Sequence, residues 1–343
     1  VSRQMTATLP VRDEAASAQA AVTRQRVCAF CEATCGLDVT YEPVTRKVLD
    51  VRGDRDHVFS HGYICPKAIG LEHIETDPDR LRRPLLRRDG RHVEVSWDEA
   101  FAEIDRRLTA IISEHGRDAG AVYLGNPNVH NLAGILYTPV LVRALGTRNV
   151  YSASTVDQRP KEVSSGLMFG TGLSIPIPDV DRTDLLVILG ANPLESNGSL
   201  MTAPDMRGRL RALRERGGRL IVIDPRRTRT AEVADEHLAI RPGADAWLLA
   251  AVAHTLLDEG LATPGRLEEH TAGLDELPKA LAPFSPEAVA GDCAIPAERI
   301  RTLARELAAA PSAAVYGRIG TTTQRYGTLA SWLVDVCNVL TGN

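Results

Sequence analysis

The chain has 343 residues, a formal net charge of −4 from 40 Lys and Arg against 44 Asp and Glu, and 4% aromatic residues. The near-neutral charge argues against a nucleic-acid-binding surface or a polybasic membrane anchor, and the few aromatic residues argue against stacking on single strands. The length predicts about two domains, and no apolar run approaches the ~18 residues that cross a bilayer.

The N-terminal segment has no targeting signature. Its first 26 residues contain neither the apolar stretch of a secretory signal nor paired arginines. We therefore expect residues 1–23 to form a loose lead-in before the first folded element. The sequence favours a cytoplasmic location, where cysteines stay reduced and available to bind metal.

Three of the six cysteines lie close together. The spacing is Cys28-x2-Cys31-x3-Cys35, and Cys65 follows after 29 intervening residues. A disulfide framework is untypical of a large chain in a reducing compartment, and structural zinc sites usually have two paired CxxC arms. A [4Fe–4S] cluster takes four thiolates, commonly three close together and one distant. The pattern therefore favours an iron–sulfur cluster over zinc or disulfides.

Several local signals follow in chain order. Alternating apolar residues around a turn in residues 37–54 predict a β-hairpin. The capping-box pattern in residues 96–99 predicts the start of a helix that ends near Gly116. Cys337 lies in an apolar helical run and Cys293 has no cysteine close by, so we expect both to be outside the cluster.

From about residue 120 onward, apolar strands alternate with helical segments. GAVYLG is interpreted as a buried strand, and RNVYSA, DLLVILG and GRLIVID as further strands, with a helix at about residues 204–216. This alternation predicts an α/β fold with parallel sheets and helices on both faces. Ligands bind beyond the carboxyl ends of such strands. The loops expected to carry chemistry are therefore 125–126, 153–159, 190–197 and 224–228.

Two of these loops have the composition of a nucleotide site. The glycines and small residues of LGANPLESNGS suit a backbone that closely approaches a phosphate or pterin, although an ordinary strand-to-helix turn would use the same residues. Asp224 ends an apolar strand, where a carboxylate can accept hydrogen bonds from ribose hydroxyls. Arg226 and Thr228 could contact a pyrophosphate or simply belong to a charged loop. The sequence lacks the GxGxxG fingerprint of NAD enzymes.

Five further segments follow the first three cysteines in order: ICPKA, VSWDEA, VILGANP, IVIDPRRTRTAEVADEHLAIRPGADA and NVLTGN. Together with the cysteine spacing they resemble the molybdenum and tungsten bis-pterin oxidoreductases, which include formate dehydrogenases, periplasmic nitrate reductases and dimethyl sulfoxide reductases. The resemblance runs from about Val27 to Asn343. Each motif is weak alone, whereas the ordered set is highly specific.

The resemblance implies a small N-terminal [4Fe–4S] domain followed by Rossmann-like α/β domains. We expect the cluster domain at residues 24–80, an incomplete α/β domain at 81–150 plus 306–343, and a dinucleotide-binding domain at 151–305. The implied cofactors are a [4Fe–4S] cluster and a molybdenum or tungsten atom held by two molybdopterin guanine dinucleotides (bis-MGD). The polypeptide is expected to continue well past Asn343, so residues 1–343 alone would be an inactive fragment.

The resemblance also assigns roles to particular residues. The implied cluster ligands are Cys28, Cys31, Cys35 and Cys65. Lys67 would lie between the cluster and one pterin, on the electron path, where the simpler alternative is a solvated lysine. Asp245 would recognise a guanine base, or it would only favour the N-terminus of its helix. The residues predicted to bind the pterin dinucleotide are Lys67, Gly190, Asn192, Pro193, Asp224, Arg226, Thr228, Gly243, Asp245, Gly320 and Gln324.

Asp157 falls at the position of the variable metal ligand, which in the resembled family is Cys, selenocysteine, Ser or Asp. The alternative is a turn-forming aspartate. Formate dehydrogenases have Cys or selenocysteine followed by His, where this chain has Asp157-Gln158. Membrane nitrate reductases use His as the first cluster ligand, where this chain has Cys28. The subgroup therefore stays open. Arg159 and Lys161 add positive charge, which favours an anionic substrate.

The expected function is a two-electron redox reaction on a small molecule, either oxygen-atom transfer or dehydrogenation. Electrons would pass through the [4Fe–4S] cluster to a redox partner protein or subunit. The alternative is a non-catalytic electron-transfer subunit resembling the large iron–sulfur subunit of complex I, which normally has further clusters upstream. A zinc-stabilised binding module is the third hypothesis.

Overall fold

The computed structural model describes residues 20–125, 127–198, 201 and 203–343. Most of the predicted lead-in of residues 1–23 lies outside the described residues, as does Asn126 of one predicted loop. By its contacts the chain divides into two compact bodies: the described part of residues 1–28 with 35–100, and residues 29–34 with 101–343.

The first body is built on an antiparallel sheet. Its strands are β1 (Val22–Val27), β2 (Gly36–Tyr41) and β3 (Val48–Gly53), in that order. β2 and β3 form the hairpin predicted in residues 37–54. The carboxylate of Glu42 accepts hydrogen bonds from the backbone N–H groups of Val44 (2.9 Å) and Thr45 (2.5 Å), and these bonds shape the turn between the two strands.

Two short helices and a second hairpin complete the first body. They are α1 (Pro66–Ile69), α2 (Leu71–Thr76), β4 (Leu85–Arg88) and β5 (Arg91–Glu94). At the end of β3 the chain passes very close to the loop that precedes α1, and a Cβ on Gly53 would overlap the carbonyl oxygen of Gly62. Glycine is therefore required there, and the contact fixes the path of residues 54–64.

The remaining strands are β6 (Val122–Leu124), β7 (Val150–Ser152), β8 (Leu185–Leu189), β9 (Arg219–Ile223), β10 (Glu236–Leu238) and β11 (Ala313–Gly317). The helices are α3 (Trp97–His115), α4 (Pro127–His130), α5 (Leu132–Leu145), α6 (Ser154–Asp157), α7 (Arg159–Phe169), α8 (Pro193–Ser196), α9 (Met206–Glu215), α10 (Arg229–Glu232), α11 (Asp245–Asp258), α12 (Leu277–Leu281), α13 (Pro286–Cys293), α14 (Ala297–Ala309), α15 (Ile319–Thr322) and α16 (Gly327–Leu340). Among the described helices, none combines the length and the apolar character needed to cross a membrane.

A four-stranded parallel sheet, in the order β10-β9-β8-β11, forms the centre of the second body. Leu185, Val187 and Leu189 of β8 join an apolar core with α11, α14 and α16, whereas Leu186 and Ile188 join a second core with α9. Successive residues of a strand point to opposite faces, so helices cover both faces of this sheet. This confirms the predicted α/β class.

The strand order reverses between β8 and β11. From β8 the chain proceeds to β9 and then to β10 on one side, whereas β11, the last strand in the sequence, pairs with the other side of β8. In open parallel sheets, ligands bind beyond the carboxyl ends of the strands at such a switch point. The topology therefore predicts a ligand-binding site at the loops after β8 and β11.

Residues 306–343 contribute to this same sheet. β11 pairs in parallel with β8, and α16 packs against α7 and α11. The carbonyl oxygen of Ser312 accepts hydrogen bonds from the N–H groups of Asp184 (3.0 Å) and Leu185 (3.1 Å), which aligns the two strands. The division predicted from sequence grouped residues 306–343 with 81–150. β11 pairs with β8, which lies in residues 151–305, and the division into domains stays a prediction.

β6 and β7 form a separate two-stranded parallel sheet. The strand predicted in GAVYLG is present, but the expectation that it is buried is wrong, because Tyr123 is 69% exposed. Two strands cannot bury their own apolar faces, and none of the residues of α3 and α5 is buried. The exposed apolar side chains of α5 include Leu132, Ile135, Leu136, Tyr137, Val140 and Leu141.

We expect the 1–343 polypeptide, produced alone, to self-associate through the apolar side chains of α5. Leu136 and Val140 are 59% and 58% exposed and lie one helical turn apart. Replacing both by lysine should raise the monodisperse fraction in size-exclusion chromatography with light scattering. Lysine in place of the exposed Ala309 removes no large apolar surface and should leave the profile unchanged. A monodisperse wild-type 1–343 polypeptide would contradict this expectation.

Candidate functional site

The loops after β8 and β11 meet through two predicted glycines. A Cβ on Gly190 would lie 2.8 Å from the Cα of Gly320, and a Cβ on Gly320 would lie 2.7 Å from the Cα of Gly190. The N–H of Gly320 donates to the carbonyl oxygen of Gly190 (2.9 Å). Gly190 also has a φ of +57°, which favours glycine. The two loops can therefore close on each other at the switch point only while both residues lack side chains.

Gln324 and Asp245 form a polar pair next to these glycines. Nε2 of Gln324 donates to Oδ2 of Asp245 (2.8 Å) and to the carbonyl oxygen of Gly320 (3.1 Å). Asp245 is 5% exposed, and burial raises the pKa of its carboxyl group. The hydrogen bond from Gln324 opposes that rise in pKa, and the negative charge of Asp224 adds to it. The carboxylate of Asp245 would therefore gain from additional hydrogen-bond donors.

One buried acceptor of this group is unpaired. Within the described residues, Oε1 of Gln324 is buried and has no hydrogen-bond partner. An unpaired buried acceptor costs about 1–3 kcal/mol, so this atom suits a ligand that brings its own N–H or O–H group. A Cβ on Gly243 would lie 3.9 Å from this oxygen, and the φ of +83° of Gly243 favours glycine. The group as a whole fits a polar ligand with hydrogen-bond donors.

The loop after β9 contributes Asp224, which acts electrostatically on Asp245. Oδ1 of Asp224 accepts a hydrogen bond from the N–H of Arg226 (2.8 Å), whose own side chain is exposed. Oγ1 of Thr228 accepts a hydrogen bond from the N–H of Ala231 (3.2 Å) and caps α10. Thr228 therefore has a local structural role. Asp224 is the residue of this loop whose charge acts on Asp245.

Asn192 and Pro193 shape the loop after β8. Oδ1 of Asn192 accepts hydrogen bonds from the hydroxyl (2.7 Å) and the N–H (3.3 Å) of Thr230. Pro193 is buried at the start of α8. Asn192 therefore ties the end of β8 to α10, and its Oδ1 atom is already occupied by protein donors.

A cavity of about 250 Å³ lies at the ends of β8 and β11 and contains Asp157. Asp157 is the last residue of the one-turn helix α6. Nη1 of Arg318 donates to Oδ1 of Asp157 (2.9 Å), and the hydroxyl of Thr322 donates to the carbonyl oxygen of Asp157 (2.5 Å). Asn192 and Pro193 line the same cavity. The structure thus brings the predicted metal ligand beside the predicted cofactor-binding loop.

The two cations close to Asp157 in the sequence are both paired. Arg159 forms an ion pair with Glu162, and Nζ of Lys161 lies 2.5 Å from Oδ2 of Asp335. Burial raises the pKa of Asp335, and Lys161 opposes that rise. These contacts neutralise locally the positive charge from which an anionic substrate was predicted.

Three of the four predicted cluster ligands lie in the first body. Cys28, Cys35 and Cys65 are buried, at 6%, 5% and 8% exposure. The N–H of Cys28 donates to the carbonyl oxygen of Cys35 (2.9 Å), which closes the cysteine-rich loop. Cys65 is the N-cap residue of α1, and its carbonyl oxygen accepts a hydrogen bond from the N–H of Ala68 (3.0 Å).

The loop before Cys65 is tied to the strand that follows Cys35. The N–H of Gly36 donates to Oγ of Ser60 (3.0 Å), and that Oγ lies 3.0 Å from Nδ1 of His57. A Cβ on Gly36 would lie 2.5 Å from the Cβ of His57. These contacts hold the two cysteine-bearing segments of the first body together.

Cys31 is half-buried and lies in residues 29–34, which by their contacts belong to the second body. Nowhere in residues 20–125, 127–198, 201 and 203–343 do three His, Cys, Asp or Glu side chains converge tightly enough to hold one metal ion. A four-iron cluster takes four thiolates and fills a larger space than a single ion. The cluster assignment therefore depends on the type and spacing of the cysteines. Lys67 is exposed on α1, and its place beside a cluster stays a prediction.

The other two cysteines are fully buried. Cys293 and Cys337 are each 0% exposed. Burial raises the pKa of both thiols to about 12, which disfavours the thiolate that binds metals. Both residues therefore pack as small apolar side chains, as predicted for Cys337.

Sequence reasoning missed Arg318, Thr322 and Thr230. Arg318 carries one usable signal, because it directly follows the strand AAVYG on the ligand-binding edge. Its partner Asp157 is 161 residues away in the sequence. Nothing in the sequence connects two positions that far apart, and only the pairing of β11 with β8 brings them together.

Comparison with known proteins supports the family resemblance found in the sequence. A family model described as molybdopterin oxidoreductase matches residues 80–342, and one described as the molybdopterin oxidoreductase Fe4S4 domain matches residues 22–74. The F420-dependent formate dehydrogenase 2 subunit alpha of Methanococcus maripaludis is 28% identical over 320 residues, which cover 92% of this chain and 45% of that protein. The assimilatory nitrate reductase catalytic subunit of Bacillus subtilis is 29% identical over 322 residues, which cover 93% of this chain and 44% of that protein.

The fold has a solved counterpart. Acetylene hydratase from Pelobacter acetylenicus matches with a TM-score of 0.77 at 24% identity, over 93% of this chain and 43% of that chain. This likeness concerns the fold alone. This chain spans less than half the length of the curated relatives named above. Since the first family model covers most of the sequence and the second covers its cysteine-rich segment, the chain belongs to the molybdopterin oxidoreductase family and carries that family's Fe4S4 domain.

Proposed function

We propose that this chain is the cluster- and cofactor-binding part of a molybdenum or tungsten bis-pterin oxidoreductase. The reaction would be a two-electron oxidation or reduction of a small substrate, by oxygen-atom transfer or dehydrogenation. One observation carries the proposal: at the switch point, the unpaired Oε1 of Gln324 lies buried beside Asp245, next to the closed glycine loops. A [4Fe–4S] cluster would pass the electrons one at a time.

The polar groups of this crevice fit one guanine dinucleotide. The carboxylate of Asp245 can accept hydrogen bonds from the N–H groups on one edge of guanine, and Oε1 of Gln324 can accept another. Such donors would offset the burial that raises the pKa of Asp245. Asp224 ends β9, where an acid can accept from ribose hydroxyls. The exposed Arg226 suits a pyrophosphate.

Asp157 is the proposed protein ligand of the metal. Its carboxylate lies in the cavity at the ends of β8 and β11 and is 35% exposed, so that a bound cofactor can reach it. A carboxylate oxygen is a hard donor and suits a hard, high-valent metal. The metal and its pterins would supply the two-electron chemistry, while Asp157 and the loop after β8 would orient them.

The proposed cluster ligands are Cys28, Cys31, Cys35 and Cys65, and the match of residues 22–74 to the Fe4S4 domain supports this set. Three of them are buried, which limits the access of water to a cluster and influences its reduction potential. Lys67 follows Cys65 by two residues. Its positive charge would favour added electron density between the cluster and a pterin.

The substrate is proposed to be a small anion. Relatives are named formate dehydrogenase, nitrate reductase and thiosulfate reductase, and the substrate in each of these names is a small anion. Asp157-Gln158 departs from the formate enzymes, so the proposal does not choose among them. A redox protein or partner subunit would exchange electrons with the cluster. A reducing, cytoplasmic location is proposed, because a cluster needs cysteines that stay reduced.

The complete protein, prepared anaerobically, should contain about four irons per chain and absorb broadly in the visible. Cys65→Ser should lose this absorbance because a thiolate ligand is removed. Cys293→Ser replaces a buried cysteine outside the cluster and should retain the iron. Iron and acid-labile sulfide analysis measures the difference. Zinc in place of iron after anaerobic reconstitution would contradict the cluster, and iron without molybdenum or tungsten would favour the non-catalytic subunit.

The glycine contact predicts the effect of one added methyl group. In the complete protein, Gly190→Ala should reduce the guanine nucleotide released by acid hydrolysis, because the new Cβ overlaps Gly320. Gln324→Met removes the unpaired Oε1 and should also lower it. Gly217→Ala is the matched control, since Gly217 has a φ of +87° but no atom within 4 Å of its Cβ position. Unchanged nucleotide content in both test variants would contradict the proposed crevice.

Asp157→Asn keeps the size of the side chain and removes its charge. In the complete protein it should change the first coordination shell in X-ray absorption at the Mo or W edge and abolish or redirect turnover. The iron–sulfur spectrum should stay intact, because the cluster cysteines are untouched. An unchanged first shell would mean that Asp157 only terminates α6.

A further inference from the structure

Arg318 lies beside the proposed metal ligand. It directly follows β11, and its side chain is 11% exposed. It lines the cavity of about 250 Å³ that contains Asp157, and also a neighbouring cavity of about 440 Å³ that is lined by Lys161 and Asp335. A largely buried guanidinium needs an anion or several acceptors. Lys161 and Asp335 pair with each other, and Arg318 pairs with Asp157.

Arg318 holds one of the two carboxylate oxygens of Asp157. Its Nη1 lies 2.9 Å from Oδ1 and 3.5 Å from the carbonyl oxygen of Asp157. Thr322 donates to that same carbonyl oxygen. In the part of the chain that the structure describes, the hydrogen bond of Arg318 to the carboxylate of Asp157 goes to Oδ1, and Oδ2 accepts none. The carboxylate is thus held through Oδ1, while Oδ2 is available for another bond.

The same backbone segment reaches the nucleotide crevice. Arg318 lies two residues before Gly320, which closes on Gly190, and the segment continues to Gln324. The N–H of Arg318 also donates to the carbonyl oxygen of Leu189 at the end of β8 (3.2 Å). Because its backbone is anchored to β8, Arg318 can hold Asp157 at a defined place relative to the crevice.

The other charges of the cavity leave this pair undisturbed. The charged residues that line it are Asp157, Glu195 and Arg318, and Tyr316 adds a phenol whose pKa burial raises, so that it stays neutral. Glu195 forms its own ion pair with Arg229 (2.8 Å). The guanidinium of Arg318 is therefore the cation that faces Asp157 from within this lining.

We propose that Arg318 is the positioning residue of Asp157: it binds Oδ1, so that Asp157 coordinates the metal through Oδ2 alone. A free carboxylate can rotate and bind a metal through one oxygen or through both. The ion pair removes this freedom. This inference depends on the proposed function, in which Asp157 is the metal ligand.

The test uses the complete holoenzyme, with metal content and X-ray absorption at the Mo or W edge as readouts. The wild type should show one carboxylate oxygen at about 2 Å from the metal. Arg318→Gln should change that oxygen shell, either by loss of the carboxylate oxygen or by gain of a second one. Arg318→Lys keeps the positive charge and should restore the wild-type shell at least in part.

A matched control separates positioning from general loss of an ion pair. Arg299 on α14 is 18% exposed and pairs with Glu236 (2.6 Å), so Arg299→Gln also removes a largely buried ion pair. It should lower the melting temperature but leave the metal shell unchanged.

The contradicting results are distinct. A wild type without molybdenum or tungsten would overturn the proposed function and this inference together. A metallated enzyme whose oxygen shell is the same in wild type and in Arg318→Gln would overturn this inference alone. A carboxylate oxygen that appears only in Arg318→Gln would mean that Arg318 withholds Asp157 from the metal, which also overturns it.

Discussion

The close approach of Gly190 and Gly320 is the constraint on which the candidate site depends. With Cβ distances of 2.8 and 2.7 Å to the opposite Cα atoms, neither position accepts a side chain without moving a loop. The contact joins the ends of β8 and β11 where the strand order reverses, and a parallel sheet offers its ligand crevice there. Gln324 is bound to the carbonyl oxygen of Gly320 and to Asp245, and Asp157 and Arg318 line the cavity at the ends of the same two strands. Both polar groups therefore lie on backbone segments that this contact brings together.

Much of the fold could be predicted from the sequence because its signals are local. Alternation of apolar residues predicted the β2–β3 hairpin, and the apolar runs of β8 and β9 predicted buried parallel strands. The pairing partner of β11 could not be predicted, because its residues give no indication of which strand they join. That pairing places β11 beside β8 in the four-stranded sheet. The burial of β6 was predicted wrongly, since an apolar strand is buried only when other segments cover it.

In the candidate site, too, residues of local motifs could be predicted, whereas contacts between distant residues could not. Gly190, Gly320, Asp245 and Gln324 were predicted from motif resemblance, and the structure brings them together. Arg159 and Lys161 were predicted to add positive charge that favours an anionic substrate, but both have acidic partners, and Asp335 lies 174 residues from Lys161. The sequence around a site shows which charged residues are present. Ion pairs with residues that are distant in the sequence decide which of these charges a substrate meets. Arg318 was missed for that reason.

The most direct test of the account is a structure of the complete, anaerobically purified protein with its natural cofactors bound. We expect density for a guanine base at the switch point, with its N–H groups on the carboxylate of Asp245 and a ligand donor on Oε1 of Gln324. We also expect the backbone of Gly190 and Gly320 to line the adjoining pyrophosphate. A dinucleotide bound elsewhere, with Gln324 Oε1 still unpaired and the Gly190–Gly320 loops empty, would contradict the account.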